Sequence, residues 1–460
     1  MFSGKKQTLC GHVRGSPDPV YAIAAALGLL ALPGRAVAHA AEGGFVLLLP
    51  TTAWSLAGAA TVALTVVLVL FLSPARALAL FAAKGRVRAP LSGVAITRAL
   101  AFVVLAAAIL HGLTGTPDPA RNAMPLLIWP VVWMALVTVQ ALAFDLWRWI
   151  DPFAVITPSR GRLCYPAALA RWPAVALFLA FTAFLLADPY STDPRRLATL
   201  ALGYLALTAV AGFAFGPRWL VAGEVFTVMM RAYARLAPVH RGRAGLWGWR
   251  MARGPLPGLA AAVFATTLLA GGSFDGLNET FLWLGALGVN PLEFPGRSAI
   301  VLPTVAGLLA LTAALLALYA TALAAGLSLA RHPEPLATAF RRFAPSLLPI
   351  AAVYHAAHYL VSFLVDAQWV AAFAADRLSL GHVHVTTGFL SSIAPVRAIW
   401  LTQAGLVVAG HVVAVLLAHA LALRAYGDGG RAARVLAPLS VFMILYTLFG
   451  LWLLAAPRGA

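Results

Sequence analysis

About ten stretches of this sequence are each long and apolar enough to cross a bilayer, and that fact governs everything else the chain can do. They fall near 52–73, 94–113, 124–146, 171–187, 197–216, 256–273, 299–329, 346–366, 398–423 and 434–455. A hydrocarbon core of roughly 30 Å takes about 20 apolar residues as a helix, and in lipid every backbone polar group must be satisfied internally. The expected fold class is therefore all-α: a polytopic integral membrane helical bundle of about 10 transmembrane helices, one membrane domain over 39–460. Composition agrees, with 62% apolar and 10% charged residues, where a soluble domain carries roughly 45–50% and about 25%. The stretch 219–236 carries Glu224, Arg231 and Arg235 among apolar residues and reads as an amphipathic helix lying in the interface.

The N-terminus has a different pattern. Lys5, Lys6 and Arg14 mark a polar, basic opening, a mostly apolar run from Tyr21 to Leu32 follows, and Pro33-Gly34 then leads to Ala36-Val37-Ala38. Basic, apolar and small-residue regions in that order make a secretory signal peptide. The apolar run reaches only about 18 Å as a helix, too short to span. The sequence predicts a signal peptide over 1–38, cleaved after Ala38, with His39 beginning the mature chain. A terminal amine and its own imidazole can chelate one metal ion, and imidazole suits copper and zinc alike. The plainer reading of His39 is that some residue has to come first.

Lys and Arg number 33 against 15 Asp and Glu, a net charge of +18. A nucleic-acid-binding domain gathers such charge on one face, whereas here it follows the alternation of the spans. With His39 outside, the inner loops and span ends hold most of it, including Lys84, Arg148, Arg162, Arg243, Arg341 and Arg431. The outer segments hold few basic residues, among them Arg121, Arg297, Arg377 and Arg458. By the positive-inside rule both mature termini are expected outside, which is the periplasmic face if the membrane is a bacterial inner one. The lipid bilayer is then the expected partner and nucleic acid is not; a partner subunit is left unknown. Cys10 and Cys164 are the only cysteines and form no motif.

Ionisable groups inside spans are costly and are candidates for function. In PIAAVYHAAHYLVSFLVDAQ a continuous helix would set His355, His358, Ser362 and Asp366 on one face about 80° wide. In LTQAGLVVAGHVVAVLLAHALALR, Gln403, His411 and His419 make a looser stripe. Counting about 1.5 Å per residue from the inner ends brings His358 and His411 to one depth, with His355 a turn below. These three are candidate metal ligands, with Tyr354, Tyr359 and Ser362 able to orient the rings; His419 lies too near the inner end. Two other readings stand beside this one. Neutral histidines can glue helices by hydrogen bonds, and His358 with His411 could hold a haem b axially.

A second polar group is expected on the outer side. In GGSFDGLNETF, Asp275 and Glu279 share a face if the helix continues, and His111, Asp366 and His39 belong to the same surface. Paired carboxylates with histidine suit a divalent metal or a general base for hydrolysis; helix capping is the ordinary alternative. His382 and His384 read as a solvated loop. No G-x-S-x-G, P-loop or H-E-x-x-H occurs, so serine-hydrolase, nucleotide and zincin chemistries lack support. An internal repeat of the transporter kind is not evident.

The runs GTPDPARNAMPLLIWPVVWMALV, YPAALARWPAVALFLAF, FDGLNETFLW, YHAAHYL and GHVVAVLLAHALALR resemble bacterial membrane proteins of the fenitrothion hydrolase-like family. The resemblance runs in order from the second span to the ninth and includes the junction of alanine with His39. It implies a shared fold and hydrolysis of organophosphate triesters, neutral substrates that partition into lipid. It brings no set of catalytic residues. The expected chemistry is a metal-bound water attacking phosphorus, with ligands from His355, His358 and His411 or from His39, Asp275 and Glu279. The alternatives are a copper-handling or haem-binding electron-transfer membrane protein and, third, a small-solute transporter.

Overall fold

The computed structural model describes residues 45–86, 93–240, 242–293 and 296–458. The signal segment and His39 lie outside the described residues. Twelve helices carry the architecture: α1 (Thr51–Val69), α2 (Val94–Thr114), α3 (Ala123–Leu142), α4 (Trp172–Ala187), α5 (Pro194–Phe215), α6 (Val225–Ala234), α7 (Leu259–Leu277), α8 (Val301–Leu329), α9 (Leu348–His358), α10 (Leu360–Arg377), α11 (Ile393–Tyr426) and α12 (Gly429–Ala455). Among the described residues α1, α2, α3, α5, α7, α8, α11 and α12 are long and apolar enough to cross a membrane, and α9 with α10 makes a ninth if counted as one bent span. The expected span at 171–187 is a 16-residue helix, about 24 Å long.

Local chemistry sets the helix ends. Asp193 caps α5, accepting from the Arg196 amide, with Pro194 in the first turn. Asp428 caps α12 through the amides of Gly430 and Arg431. Between them, α11 stops at Gly427, whose φ of 69° is the left-handed conformation glycine takes without strain.

α7 forms the centre, with most of its residues buried, and α3 and α11 pack inside with it. The outer helices point leucine, valine and isoleucine away from the bundle: Leu64, Val103, Val210, Leu302 and Leu445 are exposed. An apolar belt of that extent would aggregate in water and is satisfied in lipid. Small residues let the helices close up where burial alone gives no driving force. Gly326 of α8 lies against the backbone of Val435 in α12, and Gly410 of α11 against the Val353 side chain of α9. The only strands among the described residues form a small antiparallel sheet, β1 (Ala83–Arg86), β2 (Val239–His240) and β3 (Arg243–Gly245), in the order β1-β3-β2.

Two expectations are corrected here. The stretch 219–236 is two helices, Pro217–Ala222 and α6, and Val228, Met229, Met230 and Tyr233 of α6 are buried. Its Glu224 faces no solvent: it caps α6 through the amides of Phe226 and Thr227 and accepts from the Tyr204 hydroxyl. The span expected at 346–366 is not one straight helix either. It breaks at Tyr359, and the segments before and after it meet at 57°.

Candidate functional site

That break organises the site. Tyr359, with φ −87° and ψ 0°, ends α9 and begins α10. The last carbonyls of a helix lose their ladder partners, and in an apolar interior each must find another. Gln403 of α11 supplies one, its Nε2 donating to the Ala357 carbonyl at 2.9 Å. The expected single wedge is thereby divided. His355 and His358 stay on the α9 side, while Ser362 and Asp366 line a cavity on the α10 side.

On the α9 side, the Tyr359 hydroxyl donates to Asp275 Oδ2, and His358 Nε2 lies 3.3 Å from the same oxygen. Behind His358, Arg458 Nη2 stands 3.4 Å from Nδ1. Tyr354 stacks on the His358 ring with centroids 5.8 Å apart. His355 Nε2 donates to the Trp133 carbonyl at 2.8 Å, and its ring sits 4.9 Å from that of Tyr359. Trp133 lies in a π-helical stretch, Leu127–Leu136, that contains Pro130, and π-helical turns recur at functional sites. The space enclosed by Asp275, Tyr354, His355, His358 and Tyr359 is about 20 Å³, enough for one water-sized species.

Across Tyr359 lies a larger cavity of about 290 Å³. Trp129 and Trp133 form an aromatic wall, and Glu279, Arg297, Ser362 and Asp366 give it a polar end. Glu279 does not continue the face of Asp275. α7 stops at Leu277 because the Asn278 side chain takes the Phe274 and Asp275 carbonyls, leaving Glu279 in the following turn. Arg297 then grips Glu279 Oε1 through Nε at 3.2 Å and Nη2 at 3.0 Å, while its Nη1 donates to the Leu185 carbonyl. Both bonds fall on one oxygen of Glu279, a residue that also lines the cavity.

The remaining candidates sit apart. His411 Nδ1 donates to its own helix at Val407, and its ring packs 6.3 Å from Tyr446. Among the described residues it shares no hydrogen bond or ring contact with His355 or His358. His419 is buried beside an apolar recess between α1, α11 and α12. His111 Nδ1 accepts the Ala123 amide, and its Nε2 meets Arg377 at 3.0 Å. Among the described residues no three His, Cys, Asp or Glu side chains stand close enough to hold a metal ion.

Sequence reasoning did not single out Arg297 and Arg458. The signal was present: an arginine on the arginine-poor side is not explained by orientation. Comparison with protein families, with characterised proteins and with solved structures gives no match.

Proposed function

We propose that this chain is a membrane-embedded hydrolase of neutral, apolar esters, organophosphate triesters among them, working at the periplasmic face of a bacterial inner membrane. The observation that carries the reading is the cavity beside Tyr359, which joins an aromatic wall to one oriented carboxylate–guanidinium pair. A water in that cavity gives a proton to Glu279 Oε2 as its oxygen bonds to phosphorus. The Arg297 guanidinium balances the charge growing on the phosphoryl oxygen. The P–O bond to the aryl group breaks, and its electron pair departs with the aryloxide. Asp275 and His358 act as positioning residues that hold Tyr359 between the two spaces. The resemblance to fenitrothion hydrolases supports the substrate class.

A copper or zinc ion could supply the activated water instead. The donors of the inner space do not fit one well. Asp275, His355 and His358 are engaged by Tyr359, Trp133 and Arg458, and they form no three-ligand group.

The test is release of nitrophenolate from an aryl dialkyl phosphate by the purified protein in lipid. Wild type is expected to turn over, and Glu279→Gln to lose about 100-fold or more, the usual worth of a general base, with its melting unchanged. No turnover by wild type overturns the proposal. Metal analysis and the rate after chelation, run in parallel, would reassign water activation to a metal if the rate falls with copper or zinc.

A further inference from the structure

At the other end of α7, about 24 Å from Asp275, lies a second cavity of about 290 Å³. It is built from arginine. Arg231 and Arg235 come from α6 and its C-terminal cap, Arg171 caps the start of α4, and Arg250 comes from the short helix Trp249–Arg253. The acid in its lining, Asp145, already has partners: His240 Nδ1 at 3.4 Å and Gln140 Nε2 at 3.0 Å. Among the described residues Arg171, Arg231 and Arg235 make no ion pair with a carboxylate. Arg250 is fixed to the wall, its Nη1 donating to the Ala234 carbonyl at 3.1 Å.

Two features make this more than a basic surface. Like charges four residues apart on a helix repel, yet Arg231 and Arg235 are turned into one recess that Arg171 also enters. Burial and Arg231 hold the Arg171 guanidinium below its usual pKa, and burial and Arg171 do the same to Arg235. Pro257, just before α7, and Ala261 in its first turn also line the recess, and no side chain caps that helix start. The positive end of the α7 dipole lies on this side of the recess. Orientation in a membrane asks for basic residues on loops; it does not ask for their convergence in a cavity.

We propose that this cavity binds a phosphate group, borne either by an anionic phospholipid headgroup or by free inorganic phosphate. Guanidinium forks grip phosphate oxygens in pairs, and the negative charge of the phosphate offsets the repulsion among the arginines. Val228, Phe264 and Leu348 give the recess an apolar wall beside its charge.

The experiment follows thermal unfolding of the full-length protein in two arms. In neutral detergent, sodium phosphate is titrated against sodium chloride at matched ionic strength. In nanodiscs, phosphatidylglycerol is compared with phosphatidylcholine. A saturable rise in melting temperature with phosphate assigns the free anion; a rise only with phosphatidylglycerol assigns the headgroup. Either supports the site if Arg231→Gln and Arg235→Gln weaken the response at least tenfold while Arg253→Gln, exposed and outside the cavity, does not. Should Arg235→Gln fail to fold, the exposed Arg231 carries the comparison. No response in either arm, or an equal response in Arg231→Gln and wild type, overturns the proposal.

Discussion

At the scale of single residues, the chain shows how a carboxylate is kept inside an apolar bundle. Asp275 is held by a phenol and an imidazole, and the imidazole is backed by a guanidinium. Removing the phenol leaves part of that acceptor unsatisfied, so Tyr359→Phe is expected to cost about 1–3 kcal/mol, measured by unfolding in detergent, and to slow hydrolysis. Asp151 offers a test outside the spans. Burial pushes its carboxyl up to about 6, against the pull of Arg98 and the amides of Phe153 and Ala154. A carboxyl normally near 4 that titrates higher when folded holds its proton more tightly in the folded state. Its stabilising contribution is then full below about pH 4 and is lost as pH rises through about 6. Asp151→Asn is expected to flatten that part of a melting-temperature profile; an unchanged slope would count against it.

At the scale of elements, the helices were legible and their interruptions were not. Length and apolarity located α2, α8, α11 and α12 because a span has to cover the hydrocarbon. The turn at Tyr359 left no such mark, since YHAAHYLV contains neither proline nor glycine and the bend is held from outside by Gln403. The stop after Leu277 was hidden for a similar reason, resting on one asparagine side chain. Both misreadings moved site residues: Asp366 and Glu279 share the larger cavity, while Asp275 and His358 share the smaller. Gln403→Ala should cost about 1–3 kcal/mol by taking the side-chain donor from the Ala357 carbonyl. Gly326→Leu should cost about as much by forcing α8 away from the Val435 backbone. Thermal unfolding of each variant against wild type measures both.

At the scale of the molecule, one buried helix links two polar ends of opposite character. Arg297 and Arg458 stand at the Asp275–Glu279 end, and Arg171, Arg231, Arg235 and Arg250 at the Pro257–Ala261 end. Cys164 is free and exposed in the connection before α4, on the side expected to be cytoplasmic. In a Cys10→Ser background, an impermeant thiol reagent should label it in lysed but not in intact spheroplasts. Labelling of intact cells would invert the orientation. The pairing of Thr280 and Phe281 with Pro457 and Arg458 has a practical bearing on such work. Arg458 also stands 3.4 Å from His358 Nδ1, so a reporter joined at Ala455 in place of the residues after it, or a protease cutting there, would remove Arg458 from the centre it was meant to observe. The exposed stretch 378–384 is the safer place for an insertion.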